Sequence, residues 1–155
     1  RVVLVPAVNP DVTIIHVQKA DPSGNARIEG LTFADVEQAK AAKHLIVTCE
    51  ELVDEKFLRE DPDRNQLPFF CVSAVVHVPF GAYPTACFRH YDYDPGYLNR
   101  YARCACDDEL YEEYVKEYVL GVDDHEGLLL KIGKRELEKI RANSLTGYAK
   151  GLDRK

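Results

Sequence analysis

The 155-residue sequence contains no methionine and no tryptophan, and its 20 lysines and arginines are outnumbered by 26 aspartates and glutamates. The missing methionine, with Arg1 standing directly before the apolar run Val2-Val3-Leu4-Val5, leads to the expectation that these residues are part of a longer polypeptide. A net charge of −6 opposes electrostatic attraction to nucleic acid or anionic lipid, so neither is an expected partner and any anionic ligand must be held by local donors. No apolar stretch approaches the roughly 20 residues that span a bilayer, and Arg1 leads into a short strand-like run instead of a signal-peptide core. A soluble, cytoplasmic protein is the expectation. A phosphate loop, a dinucleotide fingerprint and a Gly-x-Ser-x-Gly elbow are also missing. Five cysteines, an odd number scattered through the chain, fit reduced thiols better than a disulfide framework.

What is present is enough for one domain: 46% of the residues are hydrophobic, sufficient to close a core at this length. Residues 2–8 and 12–17 read as two strands, β-branched and apolar as strands buried on both faces are. Asp21-Pro22-Ser23-Gly24-Asn25 is a turn, since Pro presets one dihedral, Gly supplies positive φ, and Asp and Asn bond nearby backbone. Residues 26–29 return as a strand. A helix is expected from Thr32 and Phe33 to Lys43, with Phe33, Val36 and Ala39 on its inner side. The strand His44-Leu45-Ile46-Val47-Thr48-Cys49 follows at the spacing of a parallel crossover. A helical pattern covers residues 50–60, and residues 68–78 form another strand. Asp94-Pro95 and Asp107 are caps for two helices, the second ending near Gly121, and a last helical region runs from Asp123 to about Ile140. The fold class is therefore α/β, an open, mostly parallel sheet flanked by helices, with a helical C-terminal part. Residues 1–140 are expected to form the domain and residues 141–155 a tail, loose or docked on a partner.

The loop Pro79-Phe80-Gly81-Ala82-Tyr83-Pro84-Thr85, rigid with proline and aromatics, lies at the C-terminal end of a strand, the edge where open α/β sheets bind ligands. Other candidates each have a plain structural reading beside the chemical one. Cys87, His90, Cys104 and Cys106 make a set able to surround zinc, although core or surface thiols explain the same spacing. Cys87 beside His90 is a conceivable nucleophile, whereas Cys49 reads as inert core. Glu50-Glu51 can serve acid–base chemistry or simply favour the first turn of the next helix. Tyr91-Asp92-Tyr93-Asp94 is a thin cation site, and Asp94 is better explained as a cap. The stripe Tyr111, Tyr114, Tyr118 is a helix face packed on the sheet or an interface with another protomer.

Four segments carry a resemblance: residues 11–17 (Asp-Val-Thr-Ile-Ile-His-Val), residues 20–25 (Ala-Asp-Pro-Ser-Gly-Asn), residues 41–51, which include Thr48-Cys49-Glu50-Glu51, and residues 74–94. In order and separation, as far as about Gly133, they resemble the C-terminal portion of the A subunit in the glutaconate CoA-transferase branch of the family I CoA-transferases. The resemblance implies a NagB/RpiA/CoA-transferase-like fold and a hetero-oligomer whose partner is a chain like the family's B subunit. It implies transfer of CoA from an acyl-CoA to a free carboxylic acid, possibly dicarboxylic, through a mixed anhydride and a glutamyl-CoA thioester on the partner. No catalytic residue, metal or cofactor is then expected in this chain, coenzyme A being a substrate, and the chain alone is expected to be inactive. Its expected contribution is a substrate-binding or interface loop made of Gly81, Ala82, Tyr83, Pro84 and Thr85, with Tyr91 beside it. A CoA-ester hydrolase or ring-opening enzyme of the same fold, and a non-catalytic CoA-ester-binding domain, are the alternatives.

Overall fold

The β-branched run after Asp11 is strand β1 (Val12–Ala20) of a computed structural model that describes residues 1–152. The chain divides into two units, Arg1–Gly81 and Ala82–Lys155. In the first, β1 joins β2 (Ala26–Arg27), β3 (His44–Leu52) and β4 (Ala74–His77) in one sheet of order β2-β1-β3-β4. β3 runs parallel to both β1 and β4, and β2 is antiparallel to β1, so the expected open, mostly parallel sheet is present. Helix α1 (Asp35–Ala41) makes the crossover from β2 to β3, and the short α2 (Glu55–Arg59) follows β3.

Strand alternation decides which side chains meet. Ile15 and Val17 of β1, with Leu45, Val47 and Cys49 of β3, face a core completed by Ala20, Ala26, Ala39 of α1 and Leu67. Each large aliphatic side chain fully removed from water there contributes about 1.5–3 kcal/mol. The same alternation puts Ile14, His16, Ile46, Thr48 and Glu50 on the opposite face. Ile14 is exposed, so the opposite face of β1 is open near its start, whereas Gln18 further along that face is buried.

Several sequence expectations change here. Residues 2–8 are not a strand; they form no regular element, and their valines and Leu4 are exposed. β-branched composition favours a strand only where a neighbour accepts its backbone hydrogen bonds, and among the described residues none pairs with this run. Helix α1 is shorter than expected, and Phe33 stands exposed outside it while Ala39 and Val36 face the core. The helix expected over residues 50–60 begins only at Glu55, where the Asp54 carboxylate accepts the Lys56 N–H at 2.8 Å, because β3 continues to Leu52 in register with Ala20. Of the strand expected over residues 68–78 only β4 is formed, after a single helical turn at Phe69–Cys71. The turn at residues 21–25 forms as expected: buried Asp21 accepts N–H groups of Gly24 and Asn25 at 2.9 and 3.0 Å, with Gly24 at φ +107°.

The second unit is helical. Asp94 accepts the Tyr97 N–H (2.9 Å) at the head of α3 (Pro95–Cys104), and Asp107 accepts that of Leu110 (3.0 Å) at the head of α4 (Asp108–Tyr118). The last helical region is split into α5 (His125–Ile132), capped by Asp124, and α6 (Lys134–Ile140), because Gly133 sits at φ +91° and cannot continue a right-handed helix. Within this unit, Tyr114 and Tyr118 of the α4 stripe pack against α3: Tyr97–Tyr118 and Tyr101–Tyr114 ring centroids are each 5.3 Å apart, and the Tyr97 and Tyr114 hydroxyls are hydrogen-bonded at 2.9 Å.

The segment after residue 140, expected as a tail, loose or docked on a partner, is hydrogen-bonded to residues 90 and 92 within this unit. Ala142 donates its N–H to the His90 carbonyl at 3.0 Å, and Ala149, buried, donates to the Asp92 carboxylate at 3.1 Å. Residues 153–155 of that tail lie outside the described residues. Among the described residues no helix is long and apolar enough to cross a membrane.

Candidate functional site

Parallel strands end where loops can present polar groups, and the C-terminal ends of β1, β3 and β4 carry such a cluster in the first unit. His16 is paired in register with Thr48, so their side chains stand side by side on the face opposite the core. Glu50, two residues further along β3, is on the same face. The His16 Nε2–H donates to Glu50 Oε1 at 2.7 Å, and Nδ1 lies 2.8 Å from Thr48 Oγ1. Glu50 Oε2 accepts the N–H of Phe80 at 2.9 Å, and His77 Nε2 donates to the Glu50 carbonyl at 3.0 Å. The Glu50 side chain is 5% exposed and that of His16 14%, so this is a largely desolvated hydrogen-bonded pair in which each partner is held by a further hydrogen bond.

The loop begins directly on this cluster. Phe80 has φ +59°, a left-handed conformation that costs a non-glycine residue about 1–2 kcal/mol, and it is held there by the bond to Glu50. Gly81 follows with its N–H donated to the Val78 carbonyl (3.0 Å). A methyl group on Gly81 would lie 2.6 Å from His16 Cε1 and 2.8 Å from both His16 Nδ1 and the Val78 oxygen. Glycine is therefore required by the closeness of the imidazole, not by its dihedral angles.

In the second unit the loop continues with Ala82, whose N–H donates to the Tyr91 hydroxyl at 2.9 Å, and with Tyr83, whose hydroxyl donates to Asp94 Oδ2 at 2.8 Å. Pro84 follows a cis peptide, and the Thr85 hydroxyl donates to the Ala82 carbonyl. Burial, reinforced by the Asp94 carboxylate, pushes the Tyr83 phenol far above its ordinary range, so it stays protonated and a donor. Gly81 and Thr85 are exposed, and Ala82, Tyr83 and Pro84 are half-buried. Tyr91 is 1% exposed and braces the loop from inside instead of forming an open wall.

The sequence candidates separate accordingly. Glu50 and Glu51 lie in β3 and not in a helical first turn; Glu51 is exposed and lies 3.4 Å from Lys19, while Glu50 is the buried partner of His16. His16 was not singled out from the sequence. Its signal is a single imidazole in an otherwise apolar alternation, Val12-Thr13-Ile14-Ile15-His16-Val17, whose partner is 34 positions away. Among the described residues, no three of Cys87, His90, Cys104 and Cys106 bring ligand atoms within 4.8 Å of one another, so the zinc set is not assembled. Cys87 is buried in a turn closed by pairing with Tyr91. Cys104 is half-buried and Cys106 exposed.

Cys49 is buried in the core, and desolvation, with smaller contributions from Glu50 and Glu51, pushes its thiol up from 9.0 to about 11. The folded state therefore holds this proton more tightly than the unfolded chain. That contribution to stability is complete below about pH 9 and is lost as pH rises towards 11. The expected outcome of thiol titration with a disulfide reagent at pH 8 is rapid reaction at Cys106 and none at Cys49 until denaturant is added; fast native labelling of Cys49 would contradict the buried placement.

Residues 1–78 match the Coenzyme A transferase family. The A subunit of glutaconate CoA-transferase from Acidaminococcus fermentans is 42% identical over 148 residues, covering 96% of this chain and 46% of that protein. The A subunit of 3-oxoadipate CoA-transferase from Pseudomonas knackmussii is 38% identical over 130 residues, covering 84% of this chain and 45% of its own. The crystal structure of the Acidaminococcus fermentans glutaconate CoA-transferase superposes with a TM-score of 0.90 at 41% identity, over 96% of this chain and 46% of that one. The chain thus spans about half the length of the curated relatives it matches.

Proposed function

Since this chain belongs to the coenzyme A transferase family, we propose that it is the part of a CoA-transferase A subunit that supplies one wall of the acyl-CoA cleft. The observation that carries the reading is the match, in sequence and in fold, to the glutaconate enzyme over 96% of this chain. The substrates are an acyl-CoA and a free carboxylic acid, and the partner is a B-like chain that bears the nucleophilic glutamate. That carboxylate attacks the thioester carbonyl and CoA thiolate leaves; the thiolate then attacks the mixed anhydride, releasing the first acid and leaving glutamyl-CoA. The acceptor carboxylate takes CoA by the reverse steps. Splitting one exchange into these stages is what covalent catalysis accomplishes.

Two features of this chain support that division of labour. Glu50 has one oxygen engaged by His16 and the other by the Phe80 N–H, so it is bound in the fold and poorly suited to attack a thioester. The loop from Gly81 to Thr85 is exposed at its ends and braced from beneath by Tyr91 and Asp94, as a preorganised wall has to be. The test is reconstitution. The complete protein with its partner should exchange CoA between an acyl-CoA and an added carboxylate, and the complete protein without its partner should not. Release of free CoA to water without exchange would favour a hydrolase, and exchange in the absence of the partner would end the proposal.

A further inference from the structure

The cluster of His16, Thr48 and Glu50 takes no part in the bond-making steps proposed above, yet its His16 and Glu50 side chains are largely buried. Its connections all converge on one place. β1 supplies His16, β3 supplies Thr48 and Glu50, and the two oxygens of Glu50 divide between the imidazole and the backbone N–H of Phe80. The imidazole in turn abuts the Cα of Gly81, where an added methyl would come within 2.6 Å of Cε1. Phe80, at φ +59°, is the residue whose backbone needs an external constraint.

We infer that His16 and Glu50 are a positioning pair for the Phe80–Gly81 turn, fixing the start of the wall loop against the sheet. The assignment deepens the transferase reading and rests on it for its effect on rate, but the positioning itself is independent of which reaction is run. Glu50 acts by accepting the Phe80 N–H, and His16 acts by orienting Glu50 and filling the space beneath Gly81. Thr48 fixes the ring through Nδ1. Strand pairing makes the device rigid, because His16 and Thr48 are register partners in the parallel ladder. Such a strut holds a wall within a fraction of an ångström, and misplacement on the order of 1 Å can cost about a hundredfold in rate.

The experiment uses the complete protein with its partner and two substitutions of one side chain, Glu50→Gln and Glu50→Leu. The glutamine oxygen still accepts the Phe80 N–H while its amide donates to an unprotonated His16 Nε2; leucine removes the acceptor of Phe80 and the partner of His16. Hydrogen exchange at the Phe80 amide should accelerate on the order of tenfold or more in Glu50→Leu and remain near wild type in Glu50→Gln. In CoA exchange, kcat of Glu50→Leu should fall by about tenfold to a hundredfold with KM for acyl-CoA within about threefold, and Glu50→Gln should restore most of it. If Glu50→Leu does not fold, Thr48→Val, which suits a strand and removes only the Nδ1 partner, should give the same pattern at about threefold in kcat. Unchanged Phe80 protection and kcat in the leucine or valine variant, or a glutamine variant as impaired as the leucine one, would overturn the assignment. A wild-type complex without CoA exchange would instead overturn the transferase reading, and Phe80 protection would still decide the positioning role.

Discussion

Replacing Gly81 with alanine should, on the proposed transferase reading, remove almost all CoA exchange from the complete protein with its partner, by about a hundredfold or more, while the protein still folds. The added Cβ meets three atoms closer than real Cβ contacts allow: His16 Cε1 at 2.6 Å, and His16 Nδ1 and the Val78 oxygen at 2.8 Å. The imidazole cannot step aside freely, because Glu50 holds Nε2 and Thr48 holds Nδ1, and the Val78 oxygen is backbone. The turn must therefore lift off the sheet, and with it the start of the loop proposed as a cleft wall. Overpacking of this kind costs about 1–3 kcal/mol of stability, which a denaturant titration of the purified protein will read beside the kinetic assay. An alanine variant with wild-type activity would show that the turn is not part of the cleft, whatever its effect on stability.

A second large effect is expected far along the chain. Gly147→Ala should destabilise the second unit by about 2–4 kcal/mol, combining a left-handed residue with a side-chain collision. Gly147 has φ +79°, and a methyl there would stand 2.0 Å from Phe88 Cε2. Phe88 packs edge-on against Tyr148, with ring centroids 6.0 Å apart, so moving the ring also loosens that contact. The turn it sits in closes the return of the chain, with the Gly147 N–H donated to the Asn143 carbonyl at 2.7 Å and Ala149 bonded to Asp92. Hydrogen exchange should show the loss of protection first at Gly147 and Ala149. If that segment were loose in solution, as its weak apolar periodicity suggested, the substitution would leave stability and exchange unchanged.

The contrast between these two glycines and the sequence explains what was legible. Features set by neighbours in sequence were readable: the caps Asp94 and Asp107, the Asp21 to Asn25 turn and the strand, helix, strand crossover each depend on side chains within a few positions. That residues 81–85 form a turn and not a strand or helix was readable for the same reason, since proline and glycine act locally. The His16–Glu50 pair was not, because it is created by the register of two strands: His16 opposite Thr48 places Glu50 within reach, and nothing within the β1 run states that register. Glu50 read as the opening of a helix because β3 continues past Cys49 only by virtue of its pairing with Lys19 and Ala20. Residues 2–8 went wrong in the other direction. Their pattern reports a strong preference for burial in a sheet, and a preference does not create the neighbouring strand that would satisfy it. The segment after residue 140 is held by the backbone bond from Ala142 to His90 and by the bond from buried Ala149 to the Asp92 carboxylate, which leave no periodic apolar signature.

The central claim is that this chain shapes a cleft whose reactive carboxylate belongs to a neighbouring polypeptide. The measurement that tests it most directly is intact-mass analysis of the complete protein mixed with its B-like partner, after brief exposure to acyl-CoA without acceptor acid. The account predicts a CoA adduct on the partner alone, discharged by acceptor carboxylate, with the protein described here unmodified. An adduct on this protein mapping to Glu50, or CoA exchange proceeding with no adduct on either chain, would contradict it.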